Sequence, residues 1–343
     1  MKVLVTGSAG FIAGYLVQEL LQSGHQVFGV DNFSKYGPVE KSYQNDPNYT
    51  FIEGDATNVG LLTELVTQCD HFVACAARIG GITYFHEYAY DLLAENERII
   101  AASFDAAITA FKKAKLQKIT VLSSSMVYEN ATVFPTPEGH ERVCPPPTST
   151  YGFQKLACEY FARGGWEQHK LPYTICRPFN CVGIGERRAL GNKDIPSGNI
   201  KLAMSHVVPD LVQKILKGQR PLHILGSGNQ VRCYTYGGDL AKGIATAIFH
   251  PAALNDDFNL STPTATNVLE LAKLIWEKVY GTGSNAPAFE YISDEPYTHD
   301  VQNRIPDVNK AKRVLGFESR TTLSKMLDEV IPWIKHEITN GRI

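Results

Sequence analysis

Apolar residues along the chain follow two alternating patterns. Lys2–Thr6, Gln26–Val30, Phe51–Glu53, His71–Cys75, Lys118–Leu122 and Tyr173–Arg177 are short runs of strand character. Between them, Phe11–Leu21, Val59–Val66, Asp91–Ala114 and Ser149–Gln168 repeat apolar residues at helical spacing. Short apolar runs bounded by turn residues suit strands buried on both faces, whereas a three-to-four-residue spacing suits helices with one buried stripe. Strand and helix in regular alternation imply βαβ crossovers, and hence an α/β fold with a doubly wound parallel sheet covered by helices on both faces.

After about Asn180 the rhythm changes. Gly191–Ser197 is polar and turn-rich and reads as a loop. A helix over Val207–Lys217, a strand over Leu222–Leu225 and helices over Val268–Tyr280 and Leu323–His336 follow. The expected organisation is a sheet domain over 1–180, to which about 232–262 returns, and a smaller C-terminal α/β substrate domain over 181–343.

A chain of 343 residues exceeds what one compact core usually organises. Its formal net charge of −2, with no block of like charges, gives nucleic acid or an anionic membrane little to hold. A strand begins directly after Met1, so no signal-peptide pattern is seen, and no apolar run approaches a membrane span. The seven cysteines (69, 75, 144, 158, 176, 181 and 233) have no CxxC spacing and read as small buried thiols of a cytoplasmic protein. His and Cys do not cluster at ligand spacing, so no metal site is expected.

The first strand runs into Thr6-Gly7-Ser8-Ala9-Gly10-Phe11-Ile12-Ala13-Gly14. Strand, glycine turn and helix start in this order make a pyrophosphate cradle. Gly7 permits the turn, Gly10 permits close approach, and the helix N-terminus offers free N–H groups and a positive dipole end. The spacing is GxxG rather than GxGxxG, so by itself it also fits a plain strand-to-helix corner. Asp31, followed by Asn32 at the end of the second strand, stands where a carboxylate holds the adenosine ribose and repels a 2′-phosphate, which selects NAD over NADP. Asp55-Ala56 lies where adenine would be edged; a helix N-cap explains Asp55 equally well. The sheet is therefore expected to be Rossmann-type.

The fifth strand ends in Leu122-Ser123-Ser124-Ser125-Met126-Val127-Tyr128, and Tyr151-Gly152-Phe153-Gln154-Lys155 follows a proline-rich loop. Tyr151 and Lys155, four apart on a helix, share a face. An ammonium beside a phenol favours the phenolate, which an unperturbed tyrosine titrating near ~10 needs if it is to act as a base near neutral pH. A serine from the neighbouring strand end would hold the substrate hydroxyl. A lone YxxxK arises by chance on solvated helices; its coincidence with the glycine cradle and the serine-rich strand end makes it a candidate site.

These segments together resemble the extended short-chain dehydrogenase/reductase family, specifically its nucleotide-sugar epimerases and dehydratases. The resemblance is carried by TGSAGFIAGYL at 6–16, VDNFS at 30–34, GDATN at 54–58, SSSMVY at 123–128 and YGFQK at 151–155. It continues in RPFNCVG at 177–183, GSGNQVRCYTYGGDLAKGI at 226–244 and RIPDVNKAKRVLGF at 304–317. It implies that Ser124, Tyr151 and Lys155 are catalytic, Tyr151 being the base and Lys155 also gripping the nicotinamide ribose. It implies an NAD site lined by Gly7, Gly10, Phe11, Ile12, Asp31, Asn32, Asp55, Ala56, Ala76 and Arg78. Asn180, Arg232 and Arg304, with Ser125 and Met126 beside the catalytic serine, would meet a nucleotide-diphosphate sugar; guanidinium forks suit phosphate oxygens. A homodimer packed through the helices at 91–114 and 149–168 is also implied.

Departures from the family narrow the chemistry. Its 4,6-dehydratases carry an Asp-Glu pair after the active-site Ser or Thr, and its sugar-acid decarboxylases a Glu two residues before the VYG tyrosine. Here Ser125 and Met126 stand there, and a thioether delivers no proton. The GDP-sugar 3,5-epimerase branch has a cysteine at the position of Met126, yet Ala76-Ala77-Arg78-Ile79-Gly80-Gly81 is similar to that same branch. Ala13 replaces the third glycine, Glu129 the glycine of VYG, Gln154 a Ser or Thr, and Val182 a frequent Tyr. Lys193 in the polar loop is a second acid or base only if it turns inward; a solvated lysine is the simpler expectation, as loop filler is for His140 and Cys144. The expected activity is redox-neutral, NAD-dependent nucleotide-sugar epimerisation, with inversion at C4 through a 4-keto intermediate. The alternatives are a GDP-sugar 3,5- or 2-epimerase, a dehydratase, and a silent NAD-binding scaffold, which would have no reason to keep both Tyr151 and Lys155.

Overall fold

The computed structural model describes residues 1–80, 87–113, 115–190, 195–202, 206–296 and 300–343. Gly81, Lys193 and Ala114 lie outside the described residues. In the first half, strands β1 (Lys2–Thr6), β2 (Gln26–Asp31), β3 (Tyr49–Glu53), β4 (His71–Ala74), β5 (Lys118–Leu122) and β6 (Tyr173–Pro178) alternate with helices α1 (Phe11–Gln22), α2 (Val59–Val66), α3 (Ala89–Lys113) and α4 (Thr150–His169). The second half holds short strands β7 (Cys181–Val182), β8 (Ile195–Ser197), β9 (Ile200–Leu202), β10 (Leu222–Leu225), β11 (Val231–Arg232), β12 (Thr235–Tyr236), β13 (Asp256–Leu260), β14 (Thr266–Asn267), β15 (Tyr291–Asp294) and β16 (Asn303–Arg304). Its helices are α5 (Val207–Leu216), α6 (Gly237–Phe249), α7 (Val268–Tyr280), α8 (Asn309–Leu315) and α9 (Leu323–Thr339).

Seven parallel strands form the main sheet in the order β13-β6-β5-β4-β1-β2-β3. From β1 the chain steps outward to β2 and β3. It then returns to β4 on the other side of β1 and steps outward again through β5 and β6. The connections after β1 and β4 leave in opposite directions, and the crevice between them at the carboxyl ends of the strands is where such sheets bind ligands.

Both faces of the sheet are buried, which explains the nearly continuous apolar strands. One face packs Val3 and Val5 against Leu16, Leu20, Leu240, Ile244 and Ile248 of α1 and α6. The other packs Leu4 and Ile119 against Leu62, Ile100, Ala107 and Ala162 of α2, α3 and α4. A separate core, built on Leu211, Ile215, Leu271, Ile275, Leu327 and Ile334, holds α5, α7 and α9 together. Side-chain caps begin several helices: Asn58 for α2, Ser149 for α4, and for α7 a capping box formed by Asn267 and Glu270. No helix among the described residues is long and apolar enough to cross a membrane.

The stretch expected as a loop over 191–197 differs at its end. Ile195–Ser197 is a strand that pairs antiparallel with Ile200–Leu202. Gly198 turns between them with a φ of +59°. Three-residue strands carry too few positions to display a period, so the pairing is visible only in three dimensions.

Candidate active site

A cleft of about 1130 Å³ opens where the main sheet meets the second core. Every residue that the resemblance implies for cofactor, catalysis or substrate lines it.

Gly7 forms the tight turn after β1 with a φ of +71°, and a Cβ there would come within 2.9 Å of Ala76 Cα at the end of β4. The crevice between the diverging strands is thus closed down to backbone contact. Ala76 N–H donates to Thr6 Oγ1 (3.2 Å), which ties the two strand ends together. α1 starts at Gly10 with no side-chain cap, and Phe11 and Ile12 follow on the cleft wall. Uncapped first-turn N–H groups at a positive dipole end suit a pyrophosphate.

Asp31 Oδ2 accepts the Ala9 N–H (3.0 Å) and Oδ1 the Phe33 N–H (2.8 Å). Burial raises its pKa, and these two N–H groups and Lys41 act against the rise. Each oxygen keeps a further lone pair for a ribose hydroxyl. Asp55 does not cap α2, whose N-cap is Asn58. Its Oδ1 accepts Thr57 N–H (2.8 Å) and Oγ1 (2.6 Å), its Oδ2 accepts Asn32 Nδ2 (2.8 Å), and the hydrogen bond from Thr57 does most to lower its pKa. Arg78 pairs with Glu95, and its backbone exchanges two hydrogen bonds with the buried Asn96 amide (2.7 and 2.9 Å). Glycine cradle, uncapped helix start and edged carboxylates fit a dinucleotide.

Tyr151 lies in the first turn of α4, only 6% exposed, packed with Leu92 and Met126. Lys155 is one turn on and 7% exposed; its Nζ donates to Leu122 O (3.0 Å) at the end of β5 and lies 6.0 Å from the centroid of the Tyr151 ring. Ser124 begins the 3-10 turn Ser125–Tyr128, its Oγ accepting Met126 N–H (3.2 Å). The hydroxyl proton of Ser124 is thereby left to donate. Ser125 and Met126 are buried in that turn.

A buried ion cluster fixes α4 to the sheet. Arg177 of β6 is fully buried and grips Glu159 of α4 with two hydrogen bonds of 2.7 Å. It also meets Asp257 (2.5 Å), Glu141 (3.1 Å) and the Tyr128 hydroxyl (2.9 Å). Ser123 Oγ donates to the same Glu159 (2.6 Å). Removing one member of such a cluster strands a buried charge, typically at a cost of about 3–5 kcal/mol. Arg177 opens the motif at 177–183, whose spacing carries no sign of this role.

On the opposite wall, Arg232 and Arg304 are register partners on the parallel pair β11 and β16. Asp300 pairs with Arg232 (3.3 Å), and Arg304 Nη2 contacts the Met126 sulfur. Burial, and then the neighbouring Arg232, lower the Arg304 pKa. Two cations held side by side, one of them paired with Asp300, suit an anionic ligand. Arg304 Nε, Asn180 Oδ1, Tyr234 Oη and Gln230 Oε1 are buried with no hydrogen-bond partner among the described residues, and all four residues line the cleft. Tyr234 and Gln230 were not singled out from the sequence; both flank Arg232 in the motif at 226–244, and that adjacency was the available signal.

Residues 3–261 match the model of the NAD dependent epimerase/dehydratase family. An uncharacterized UDP-glucose epimerase of Bacillus subtilis is 27% identical, over 97% of this chain and 98% of its own length. A UDP-N-acetyl-alpha-D-glucosaminuronate decarboxylase of Bacillus cytotoxicus is 28% identical over 99% of each chain. Among solved structures, the UDP-glucose 4-epimerase of Thermotoga maritima with UDP-glucose superimposes with a TM-score of 0.78 at 26% identity, over 98% of this chain and 100% of that one.

Proposed function

This chain belongs to the NAD-dependent epimerase/dehydratase family, with NAD as its cofactor, and from that premise we propose that it is a nucleotide-sugar epimerase inverting C4 through a 4-keto intermediate. One observation carries the reading: Tyr151, Lys155 and Ser124 converge in one cleft beside residues 125 and 126, which hold no carboxyl group.

Tyr151 takes the proton of the sugar 4-hydroxyl while the Ser124 hydroxyl donates to the same oxygen. Lys155, held by Leu122 O, stabilises negative charge on the phenol oxygen. When bound, NAD supplies the hydride acceptor and returns what it accepts, so the cycle is redox-neutral. Gly7, Gly10 and the start of α1 hold its pyrophosphate, Asp31 its ribose, and Asp55 with Ala56 its adenine edge. Arg232 and Arg304 grip the substrate diphosphate, and Asn180 meets the sugar nucleotide beside them. With no acid at 125 or 126, elimination of water or carbon dioxide has no proton donor at those two positions.

The test is incubation with a panel of UDP-, GDP-, CDP- and dTDP-sugars, with products identified by mass spectrometry and NMR. A product of unchanged mass and altered C4 coupling, formed without added reductant and lost in Tyr151→Phe by about 10²–10⁴-fold in kcat, is expected. A dehydrated or decarboxylated product overturns the reading. We also propose a homodimer through α3 and α4, on which Tyr90, Phe153 and Tyr160 are exposed, the last two sharing a face two turns apart. Sedimentation as a monomer at micromolar concentration would rule it out.

A further inference from the structure

Glu129 closes the 3-10 turn that Ser124 opens, its N–H donating to Met126 O (3.1 Å). Its Oε2 accepts both donors of Ser149, N–H at 3.1 Å and Oγ–H at 2.8 Å. Ser149 is the N-cap of α4, and its Oγ accepts Gly152 N–H (3.0 Å). A continuous chain of hydrogen bonds therefore runs from the turn that carries Ser124 to the first turn of the helix that carries Tyr151 and Lys155. The fit is tight. A Cβ on Gly152 would stand 2.8 Å from Met126 O and 2.9 Å from Glu129 Oε2, so glycine is what lets the helix start approach the carboxylate. A negative charge at that end also complements the helix dipole.

We propose that Glu129 is a positioning residue: it locks the Ser124 turn to the N-terminus of α4 and so sets the placement of the Ser124 hydroxyl relative to the Tyr151 phenol. The role rests on Tyr151 being the base of the proposed reaction. It acts through Ser149 and moves no proton itself.

The experiment compares Glu129→Ala, Glu129→Gln and Ser149→Ala in the NAD-bound protein, reading kcat and KM for the nucleotide sugar, the pH profile of kcat and amide exchange over 149–155. A misplacement of about 1 Å costs up to ~10²-fold, so Glu129→Ala is expected to lower kcat by roughly 10–100-fold. KM should stay within about threefold by the same argument, the pH profile should keep its shape, and exchange at Gly152 should quicken. Glu129→Gln keeps an oxygen that accepts both Ser149 donors and should recover most of the loss. Ser149→Ala, which also removes the cap on Gly152 N–H, should lower kcat at least as far as Glu129→Ala, and the double variant should be no worse than Ser149→Ala.

A raised KM with kcat unchanged would make Glu129 a substrate contact and overturn the proposal. A pH limb lost in both Ala and Gln variants would make it a proton-transfer group and do the same. Unchanged kcat and exchange in Glu129→Ala would remove the role altogether. If the wild-type protein turns over no nucleotide sugar, the functional reading fails on its own, and the exchange rates still decide whether Glu129 fixes the start of α4.

Discussion

On the cofactor wall, Asp31 accepts the N–H groups of Ala9 and Phe33, Asp55 is held by Thr57 and Asn32, and Arg78 is paired with Glu95. Across the cleft, Arg304 Nε, Asn180 Oδ1, Tyr234 Oη and Gln230 Oε1 are buried with no partner among the described residues, and Arg304 lies against a second arginine. The charged side chains of the first wall already have protein partners, whereas the second wall leaves buried side-chain atoms for a ligand to meet. Leaving a buried polar group unpaired costs about 1–3 kcal/mol, so the second wall holds binding energy that a substrate releases by donating to the two amide oxygens and accepting from Arg304. In the proposed cycle a retained cofactor would suit the first arrangement, and a substrate that exchanges every turn would suit the second.

The largest effect that separates the walls is expected at Arg304. Arg304→Leu should weaken nucleotide-sugar binding by roughly 30–1000-fold, in line with about 2–4 kcal/mol for a hydrogen-bonded charge contact. It should leave the melting temperature of the ligand-free protein unchanged or higher, because it removes a partly buried cation beside another cation. Calorimetric titration and a thermal scan read both. A steep fall in ligand-free stability would make Arg304 structural and erase the contrast.

Asp31→Ala should do the reverse. It strands the N–H groups of Ala9 and Phe33, so the ligand-free protein should lose about 1–3 kcal/mol of stability, alongside a roughly tenfold loss of NAD affinity, equivalent to ~1.4 kcal/mol. Denaturant unfolding without cofactor is the measurement. Full stability with weakened NAD would mean that the cofactor wall, too, waits for its ligand.

The smallest effect concerns pH. His71 of β4 is buried, and burial followed by the charge of Lys118 pushes its pKa down to about 4. The unfolded chain, with a histidine pKa near ~6.5, then takes up the proton first as pH falls. Stability from His71 is complete above ~6.5 and drains away as pH drops through about 4. His71→Gln should flatten part of the slope of melting temperature between those limits. An unchanged slope would assign it to the carboxylates instead.

Much of this molecule is legible along the chain. Gly7 and Gly10 announce a close backbone approach, Tyr151 and Lys155 share a helix face by spacing alone, and the apolar strands between amphipathic helices require a sheet covered on both sides. These are properties of neighbours in sequence, set by backbone sterics and by the periods of helix and strand. What tertiary structure decided lies between residues far apart in the chain. Glu129 meets Ser149 across the proline-rich loop, Arg177 gathers Glu141, Glu159 and Asp257 from separate elements, and Arg232 stands beside Arg304 only because β11 and β16 pair in that register. Composition and spacing carry no distance between such residues. Their charges and unpaired groups gain meaning only after the chain has closed around the cleft and removed the water that would otherwise satisfy them.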